Sequence, residues 1–300
     1  MSRPAARIQA QAKVNLHLRV LSKEESGFHS IETIYHRIEF ADELTVCIEN
    51  DERRVLNVQG ADVGPVESNL AYRAALAYSD ACGWPIGFSI DLDKRIPAGA
   101  GLGGGSSDAA AVLRALDSLN RRPLGEKRLI GVAATLGSDI PFLVSNEVMA
   151  LAWARGERML GLMPLPQRDV VLVTPDFQVS TADAYSWLDS VRPSEGDMTE
   201  HSASDLLLIS DEMLASWKSV AKLNRNDFIA PVSERHPEIM THLDNLKRTG
   251  SFLCSMSGSG STLFGLYEAL PEPPALTVFE RATLTPTRTA TSVVQPVRIG

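Results

Sequence analysis

The sequence predicts an α+β fold divided into two domains. Three observations favour it: runs of alternating apolar and polar residues, helical patterns between those runs, and prolines at positions 164, 166 and 175. The 300 residues include 44% hydrophobic and 22% charged side chains, which is typical of a globular protein with a sizeable core. We expect a first domain over residues 1–165 and a second over residues 166–300.

The charge of the chain limits its partners. A net charge of −8 is the wrong sign for binding nucleic acid or an anionic membrane surface. The 3 cysteines form no CxxC pair, so neither a disulfide framework nor a zinc knuckle is expected. Residues 1–10 lack the apolar core of a signal peptide, and no apolar stretch is long enough to span a bilayer. We expect a cytoplasmic protein that acts on small molecules, as a monomer or a weak homodimer.

The first domain begins with alternating strands. Over residues 7–20 every second side chain is apolar, which predicts a half-buried strand. Lys13 and Asn15 share its polar face, about 7 Å apart. The same alternation predicts further strands over residues 34–40, 44–48 and 86–92.

Helical patterns occupy the rest of the first domain. A helix is expected from about Asn69, with Ser68 as its N-cap and Gly83 at its end. A long amphipathic helix is expected from Ser106, directly after a glycine-rich segment. The remaining predicted elements are a helix over residues 126–136 and an apolar strand from Phe142.

The second domain opens with an apolar strand at residues 170–173 and continues with mixed helix and strand. Residues 195–204 are expected to form a solvated insertion, and the tail after Pro271 has no assigned element. The other predicted elements are helices over residues 182–188, 205–214 and Glu238–Arg248, and a Gly/Ser loop that leads into a strand within residues 254–267.

The most informative segment is residues 97–110, PAGAGLGGGSSDAA. Its glycines carry no side chain that would keep an anion away from backbone N–H groups. The segment leads directly into a helix N-terminus, where unpaired amides and the positive end of the dipole favour phosphate. Ser106 and Ser107 add hydroxyl donors. We therefore predict a phosphate-binding loop.

Three other interpretations of this segment fit less well. A flexible linker seldom leads into a well-patterned amphipathic helix. A Walker A motif needs Gly-Lys followed by Ser or Thr, which the segment lacks. Gly99, Gly101 and Gly104 match the dinucleotide-binding spacing. However, the preceding strand alternates, whereas a central parallel strand would be continuously apolar.

Three motifs of the sequence resemble those of the GHMP kinases and follow one another in the same order. These are small-molecule kinases named for galactokinase, homoserine kinase, mevalonate kinase and phosphomevalonate kinase. Residues 12–15 resemble the N-terminal motif, residues 96–110 the second motif, and residues 256–261 the C-terminal glycine-rich motif. The resemblance implies a first domain like ribosomal protein S5 domain 2 and a second domain with helices on an antiparallel sheet. It also implies ATP as co-substrate, accompanied by Mg²⁺.

Finer details narrow the resemblance. Residues 27–29, the triple glycine before Ser106, and residues 136–141 most resemble the family members that phosphorylate the 2-hydroxyl of a cytidine-diphosphate sugar alcohol, on the non-mevalonate route to isoprenoid precursors. A homoserine-type or mevalonate-type kinase remains an alternative and would differ around His29 and Tyr185. A non-catalytic nucleotide-binding relative is the second alternative, although it should have lost a charged catalytic residue.

The resemblance assigns roles to the polar residues near the reaction. Asp139 would be the general base, although an aspartate before a proline is also an ordinary helix N-cap. Lys13 would keep Asp139 ionised and stabilise the developing alkoxide, where local sequence alone indicates a solvated lysine. Asn15 would orient the acceptor through hydrogen bonds.

The cytosine of the acceptor would be bound by aromatic residues. By resemblance, His29 would hydrogen-bond its edge, Phe28 and Tyr185 would stack on its two faces, and Thr181 would support them. The family usually has tyrosine where Phe28 stands, so this chain keeps the stacking surface without the hydroxyl. Without the resemblance, Phe28 and His29 indicate a turn with an anchoring aromatic, and Tyr185 indicates helix core.

The ATP site would comprise the glycine-rich segment and two residues outside it. Asn69 and Lys94 match positions that border the adenine and ribose, where ordinary structural roles carry similar weight. Ser107 is the candidate Mg²⁺ ligand; no resident metal site is expected, because the histidines form neither an HExxH motif nor a close pair. The phosphates would be bound by residues 101–107. The predicted ATP-binding residues of the segment are Pro97, Gly99, Gly101, Leu102, Gly103, Gly104, Gly105, Ser106 and Ser107.

Overall fold

Two β-sheets, each packed against helices, form the fold in a computed structural model that describes residues 3–24, 27–61, 63–84, 87–191, 210–272 and 277–299. The predicted α+β class is confirmed. The strands are β1 (Ala5–Lys23), β2 (His29–Glu49), β3 (Arg54–Gln59), β4 (Gly87–Asp93), β5 (Met149–Ala154), β6 (Arg158–Leu162), β7 (Asp169–Pro175), β8 (Leu253–Met256), β9 (Leu263–Tyr267), β10 (Ala282–Arg288) and β11 (Val297–Ile299). The helices are α1 (Leu70–Cys82), α2 (Gly104–Leu119), α3 (Glu126–Ala134), α4 (Ile140–Val144), α5 (Thr181–Val191), α6 (Asp211–Leu214), α7 (Trp217–Leu223), α8 (Ile229–Ser233) and α9 (Glu238–Arg248).

The first sheet is built on one long antiparallel hairpin, β1 and β2. The C-terminal half of β2 pairs with β4, and the N-terminal half of β2 pairs with β5. Strand β4 also pairs in parallel with β3. The two strands predicted over residues 34–40 and 44–48 are one strand. The backbone passes through residues 41–43 without a turn because these residues also pair with β1.

The polar face of β1 corrects the prediction of a half-buried strand. Lys13, Asn15 and His17 are all less than 4% exposed. Residues 223–225 of the second domain cover this face next to His17 and Leu18. Leu18 N donates to Arg225 O, and His17 Nδ1 lies 2.6 Å from Leu223 O. Periodicity identifies the apolar face of a strand, but it carries no information on whether a second layer covers the polar face.

Two helix starts differ from the prediction by small steps. The N-cap of α1 is Asn69, whose side-chain oxygen accepts from Ala71 N at 2.9 Å, whereas the Ser68 hydroxyl donates to Pro65 O. Helix α1 ends at Gly83, in the left-handed region, as predicted. Helix α2 begins two positions before Ser106, at Gly104.

The strand predicted from Phe142 is wrong. The segment forms the five-residue helix α4, and the strand β5 follows it. Arg37 explains the difference, since its buried guanidinium donates to the carbonyls of Phe142, Leu143 and Ser145, which lie at the end of α4. Burial lowers the pKa of Arg37 to about 9, so the side chain stays charged at neutral pH. This cap comes from β2, more than a hundred residues away in sequence.

The second sheet is antiparallel, in the order β10-β7-β9-β8. Helices α5 and α9 contain the predicted helices at residues 182–188 and Glu238–Arg248. The predicted insertion at residues 195–204 lies outside the described residues. Of the helix predicted over residues 205–214, residues 205–209 also lie outside them, and the described end forms α6.

The chain after position 271 forms two strands that the sequence did not indicate, β10 and β11, and β11 pairs with β1 in the first sheet. The division near residue 165 stays a prediction. Helices in the part of the chain that the structure describes are all too short or too polar to cross a membrane. The 3 cysteines are free thiols.

We expect Arg37→Met to lower the free energy of unfolding by about 3 kcal/mol, because several buried carbonyls would lose their donor. Urea unfolding measures this change. The matched control is Arg288→Met, since Arg288 is 58% exposed in its pair with Asp169 and should contribute less than about 1 kcal/mol. Equal effects of the two substitutions would contradict the capping role of Arg37.

Candidate active site

A cleft of about 1030 Å³ lies where the first sheet faces the second domain. Its walls come from the β1–β2 hairpin, the glycine-rich segment, the start of α4, helix α5 and the loop after β8. Most residues predicted for the site line it. These are Lys13, Asn15, Phe28, His29, Gly99, Gly101, Gly103, Gly104, Gly105, Ser106, Asp139, Thr181 and Tyr185.

The glycine-rich loop needs glycine for two separate reasons. Gly99, Gly101 and Gly103 have φ values of 66°, 78° and 72°, in the left-handed region that other residues rarely adopt. In addition, a Cβ on Gly101 would lie 2.0 Å from the backbone oxygen of Ser257. The loop therefore packs directly against the backbone of the second glycine-rich loop, residues 257–261.

The loop delivers backbone amides to the cleft. The first backbone hydrogen bond of α2 runs from Ser107 N to Gly103 O at 2.7 Å. The amides of Gly104, Gly105 and Ser106 precede it, so they belong to the open N-terminal turn of the helix. Open amides at a helix N-terminus favour an anion.

Three residues of the glycine-rich segment that were predicted to bind ATP do not face the cleft. The Ser107 hydroxyl is 2% exposed and donates to Gln11 O, which joins α2 to β1 and corrects its prediction as a Mg²⁺ ligand. Leu102 is buried in the core, and its carbonyl accepts from Lys13 N. Pro97 lies before the loop and outside the cleft wall, partly buried.

Lys94 lies beneath the glycine-rich loop, not on the cleft wall, and this corrects its predicted position. Its ammonium is 2.5 Å from Asp42 Oδ2 and 2.8 Å from Asp108 Oδ2, and its side chain is 3% exposed. Burial alone would lower the pKa of Lys94, but the two carboxylates raise it, so the cation persists. Asn69 likewise has a structural role, as the N-cap of α1.

A buried lysine and an aspartate meet at the centre of the cleft. Lys13 Nζ lies 3.3 Å from Asp139 Oδ2, and it also donates to Asn15 Oδ1 at 2.7 Å and to Gly101 O at 3.0 Å. Asp139 directly precedes α4, but its side chain makes no capping hydrogen bond. Asp139 therefore occupies the N-cap position of α4 without the capping hydrogen bond, and its carboxylate lies at the cleft.

The sequence did not indicate Tyr35, which also contacts the aspartate. Its hydroxyl donates to Asp139 Oδ1 at 2.9 Å. Burial, and then the negative charge of Asp139, raise the pKa of Tyr35, so the phenol stays protonated. Tyr35 is the cross-strand partner of Asn15, and correct pairing of β1 with β2 would have indicated it.

The orientation of Asn15 is determined by its own partners. Its Nδ2 donates to Thr33 Oγ1 at 2.8 Å, and Thr33 in turn donates to His17 O. This places Oδ1 of Asn15 toward Lys13. Both Lys13 and Asn15 are thus held in single orientations at the floor of the cleft.

An aromatic cluster lies at the other end of the cleft. The His29 and Tyr185 rings stack with centroids 4.6 Å apart, so the ring next to Tyr185 is His29 and not Phe28. Phe28 is 56% exposed, and the Arg155 guanidinium lies 4.2 Å from its ring centroid. The ring of this cluster that is open to a ligand is mainly that of Phe28, since the His29 side chain is only 7% exposed.

Asp189 is a second residue that the sequence analysis missed. Its carboxylate lies 2.7 Å from His29 Nε2 and 2.6 Å from Lys23 Nζ. Partial burial raises the pKa of Asp189, but hydrogen bonds from Lys23 and His29 lower it on balance. Asp189 follows Tyr185 by one helical turn, so the helical period could have indicated it.

Thr181 begins α5 and connects it to the second glycine-rich loop. Its hydroxyl lies 3.2 Å from that of Ser259. The same loop is held from below by Asn226, whose Nδ2 donates to the carbonyls of Met256 and Gly258. Among the residues that the structure describes, no group of three His, Cys, Asp or Glu side chains could hold a metal ion.

Comparison with protein families identifies the class. Residues 69–147 match the family model for the GHMP kinases N terminal domain, and residues 200–277 match the model for GHMP kinases C terminal. The chain belongs to the GHMP kinases. It is therefore a kinase that uses ATP as co-substrate and acts on a small molecule.

Individual relatives point to one branch of that family. Proteins named 4-diphosphocytidyl-2-C-methyl-D-erythritol kinase from Deinococcus radiodurans and Solibacter usitatus are 40% and 38% identical; the matches cover 86% and 87% of this chain and 82% and 81% of the relatives. A crystal structure of 4-(cytidine 5'-diphospho)-2C-methyl-D-erythritol kinase is 34% identical, with a TM-score of 0.72 over 95% of this chain and 99% of that one. A homoserine kinase from Cytophaga hutchinsonii has a TM-score of 0.69 over 98% of this chain and 97% of its own, but at 18% identity it shares the fold alone.

We expect Gly101→Ala to lower the affinity for a non-hydrolysable ATP analogue by about tenfold or more, because the new Cβ would separate the two glycine-rich loops. Calorimetric titration measures this affinity. The matched control is Gly83→Ala, which also has a positive φ of 60° but would meet no atom within 4 Å. Unchanged affinity in Gly101→Ala would show that contact between the loops is not needed for nucleotide binding.

Proposed function

We propose that the chain transfers the γ-phosphoryl group of ATP to the 2-hydroxyl of 4-diphosphocytidyl-2-C-methyl-D-erythritol. One observation carries the proposal: a single cleft contains an anion-binding helix N-terminus, the Lys13–Asp139 pair and an aromatic cluster. The helix N-terminus suits the phosphates of the donor, the Lys13–Asp139 pair suits the reacting hydroxyl, and the aromatic cluster suits the nucleotide base. The names of the 34–40% identical relatives support the same substrate.

The phosphates of ATP bind at the N-terminus of α2. The amides of Gly104, Gly105 and Ser106 can donate to phosphate oxygens, and the helix dipole adds positive potential. Ser106 supplies a hydroxyl at the cleft wall. The Ser107 hydroxyl does not, because it donates to Gln11 O. Mg²⁺ enters with ATP as part of the co-substrate complex and neutralises phosphate charge.

The Lys13–Asp139 pair carries out the proton transfer. The acceptor oxygen forms a bond to the γ-phosphorus, the bond from that phosphorus to the β–γ bridging oxygen breaks, and ADP leaves. The hydroxyl proton passes to the Asp139 carboxylate. The Lys13 ammonium, 3.3 Å from Asp139, stabilises the negative charge that develops on the acceptor oxygen.

The aromatic cluster binds the cytosine. His29 stacks on Tyr185, and its Nε2 is hydrogen-bonded to Asp189. Its other ring nitrogen, Nδ1, forms the hydrogen bond to the edge of the base. The exposed ring of Phe28 offers a stacking surface. Asn15 orients the sugar alcohol near Asp139, and Thr181 supports the wall between the two ends.

The remaining expectations follow from the same assignment. The net charge of −8 favours small-molecule partners over nucleic acid or a membrane surface. We also propose a cytoplasmic location, where ATP is supplied, and a monomer or weak homodimer. The domain boundary is proposed near residue 165, between the end of β6 and the start of β7.

We expect the purified protein with ATP and Mg²⁺ to release ADP when 4-diphosphocytidyl-2-C-methyl-D-erythritol is added, with a new phosphate monoester in the phosphorus NMR spectrum. A coupled ADP assay gives the rate. Homoserine and mevalonate serve as control acceptors. Turnover with either of these but not with the cytidylyl substrate would assign the chain to another branch of the family, and no turnover with any acceptor would favour a non-catalytic relative.

We expect Asp139→Ala to lower kcat by about two to four orders of magnitude, the contribution of a positioned general base. The control is Asp91→Ala on β4, which removes an exposed carboxylate bonded to Asn57 and should leave kcat unchanged. A wild-type rate in Asp139→Ala would remove Asp139 from the reaction.

A further inference from the structure

We infer that Tyr35 is a positioning residue for Asp139: its phenol holds one carboxylate oxygen and leaves the other, paired with Lys13, to accept the proton. The inference rests on the proposed function, because it gives Asp139 the role of base. It goes beyond that function by assigning separate tasks to the two oxygens of one carboxylate.

The two oxygens of Asp139 have different surroundings. Oδ1 accepts from the Tyr35 hydroxyl at 2.9 Å. Oδ2 lies 3.3 Å from Lys13 Nζ and 3.6 Å from the place that a Cβ on Gly103 would take. Since Gly103 belongs to the loop that receives the phosphates, Oδ2 is the oxygen on the side of the transferred group.

Tyr35 is held too tightly to serve as a mobile group. The residue is 1% exposed, and its ring stacks on Phe142 with centroids 5.0 Å apart. Lys13 Nζ lies 5.6 Å from the ring centroid. A Cβ on Gly156 would come within 3.1 Å of the Tyr35 hydroxyl, so a residue without a side chain makes room for it.

The phenol can only donate to the carboxylate. The charged and titratable groups that face it are Asp139, Lys13 from β1, Glu157 from the turn before β6, and Tyr185 from α5. Burial and the charge of Asp139 keep the phenol protonated, as described above. Phe142, from α4, adds no charge. The hydroxyl proton therefore has a fixed acceptor, Asp139 Oδ1.

A fixed donor has one consequence for the reaction. It restrains rotation of the carboxylate, so Oδ2 stays beside Lys13. This effect acts on the chemical step and does not contribute to binding of the substrates.

The test is Tyr35→Phe, which keeps the ring and its contact with Phe142 and removes only the hydroxyl. We expect kcat to fall by about tenfold, as for loss of a hydrogen bond to a charged group, with KM for both substrates within about twofold of wild type.

The matched control is Tyr78→Phe. Tyr78 is also fully buried, and its hydroxyl donates to Asp117 Oδ1 at the same 2.9 Å, outside the cleft. Urea unfolding of both variants shows whether stability changes equally. Tyr78→Phe should leave kcat unchanged, so a general loss of stability cannot imitate the expected result.

Two outcomes would overturn the inference: wild-type kcat in Tyr35→Phe, or equal changes of kcat in both variants. The wild-type rate separates the two proposals. If wild-type protein does not phosphorylate the cytidylyl substrate, the proposed function fails; if it does and Tyr35→Phe matches it, only the role of Tyr35 fails.

Discussion

The buried ammonium of Lys13 is the interaction on which the site depends. A cation at 3% exposure requires acceptors on every side, since an unpaired charge is costly to bury. Its acceptors come from three parts of the chain: Asn15 on the same strand, Gly101 in the glycine-rich loop and Asp139 before α4. The need to pair this one charge therefore brings the glycine-rich loop and the proposed base together.

The same constraint involves the second domain. Ser257 donates to Gly101 O, the carbonyl that also accepts from Lys13. The segment at residues 223–227 covers β1 at residues 16–18, and the second glycine-rich loop reaches the lysine itself, since a Cβ on Gly258 would lie 3.4 Å from Lys13 Nζ. The first domain alone carries helix α2 and Asp139, but the burial that strengthens the electrostatics of the site depends on the second domain. This is a physical reason for the cleft to lie where the two meet.

Features of the fold that depend on local spacing were predictable. The glycine-rich segment, the helix after it and the end of α1 at Gly83 appear close to their predicted positions. Features that depend on distant partners were not. Helix α4 was predicted as a strand because its cap, Arg37, comes from β2, and the strands after position 271 lack a clear pattern because their pairing partners β7 and β1 are remote.

The candidate site divides in the same way. Lys13, Asn15 and Asp139 were identified through short motifs, and the structure brings them together. Lys94 and Ser107 belong to similar motifs, but their side chains are directed to Asp42, Asp108 and Gln11 instead of the cleft. A motif identifies which residues are near the ligand, whereas the direction of each side chain depends on the packing of neighbouring elements.

By itself, the sequence determined the class of the protein and the location of the glycine-rich loop that we propose binds phosphate, because glycines, a helix start and a short motif act within a few residues of one another. Only the tertiary structure decided which groups surround the carboxylate of Asp139. Tyr35 and Lys13 come from two different strands, and their distances to Asp139 depend on strand register and on the capped helix α4. Such distances are set by pairing between remote segments, which a pattern of neighbouring residues does not record.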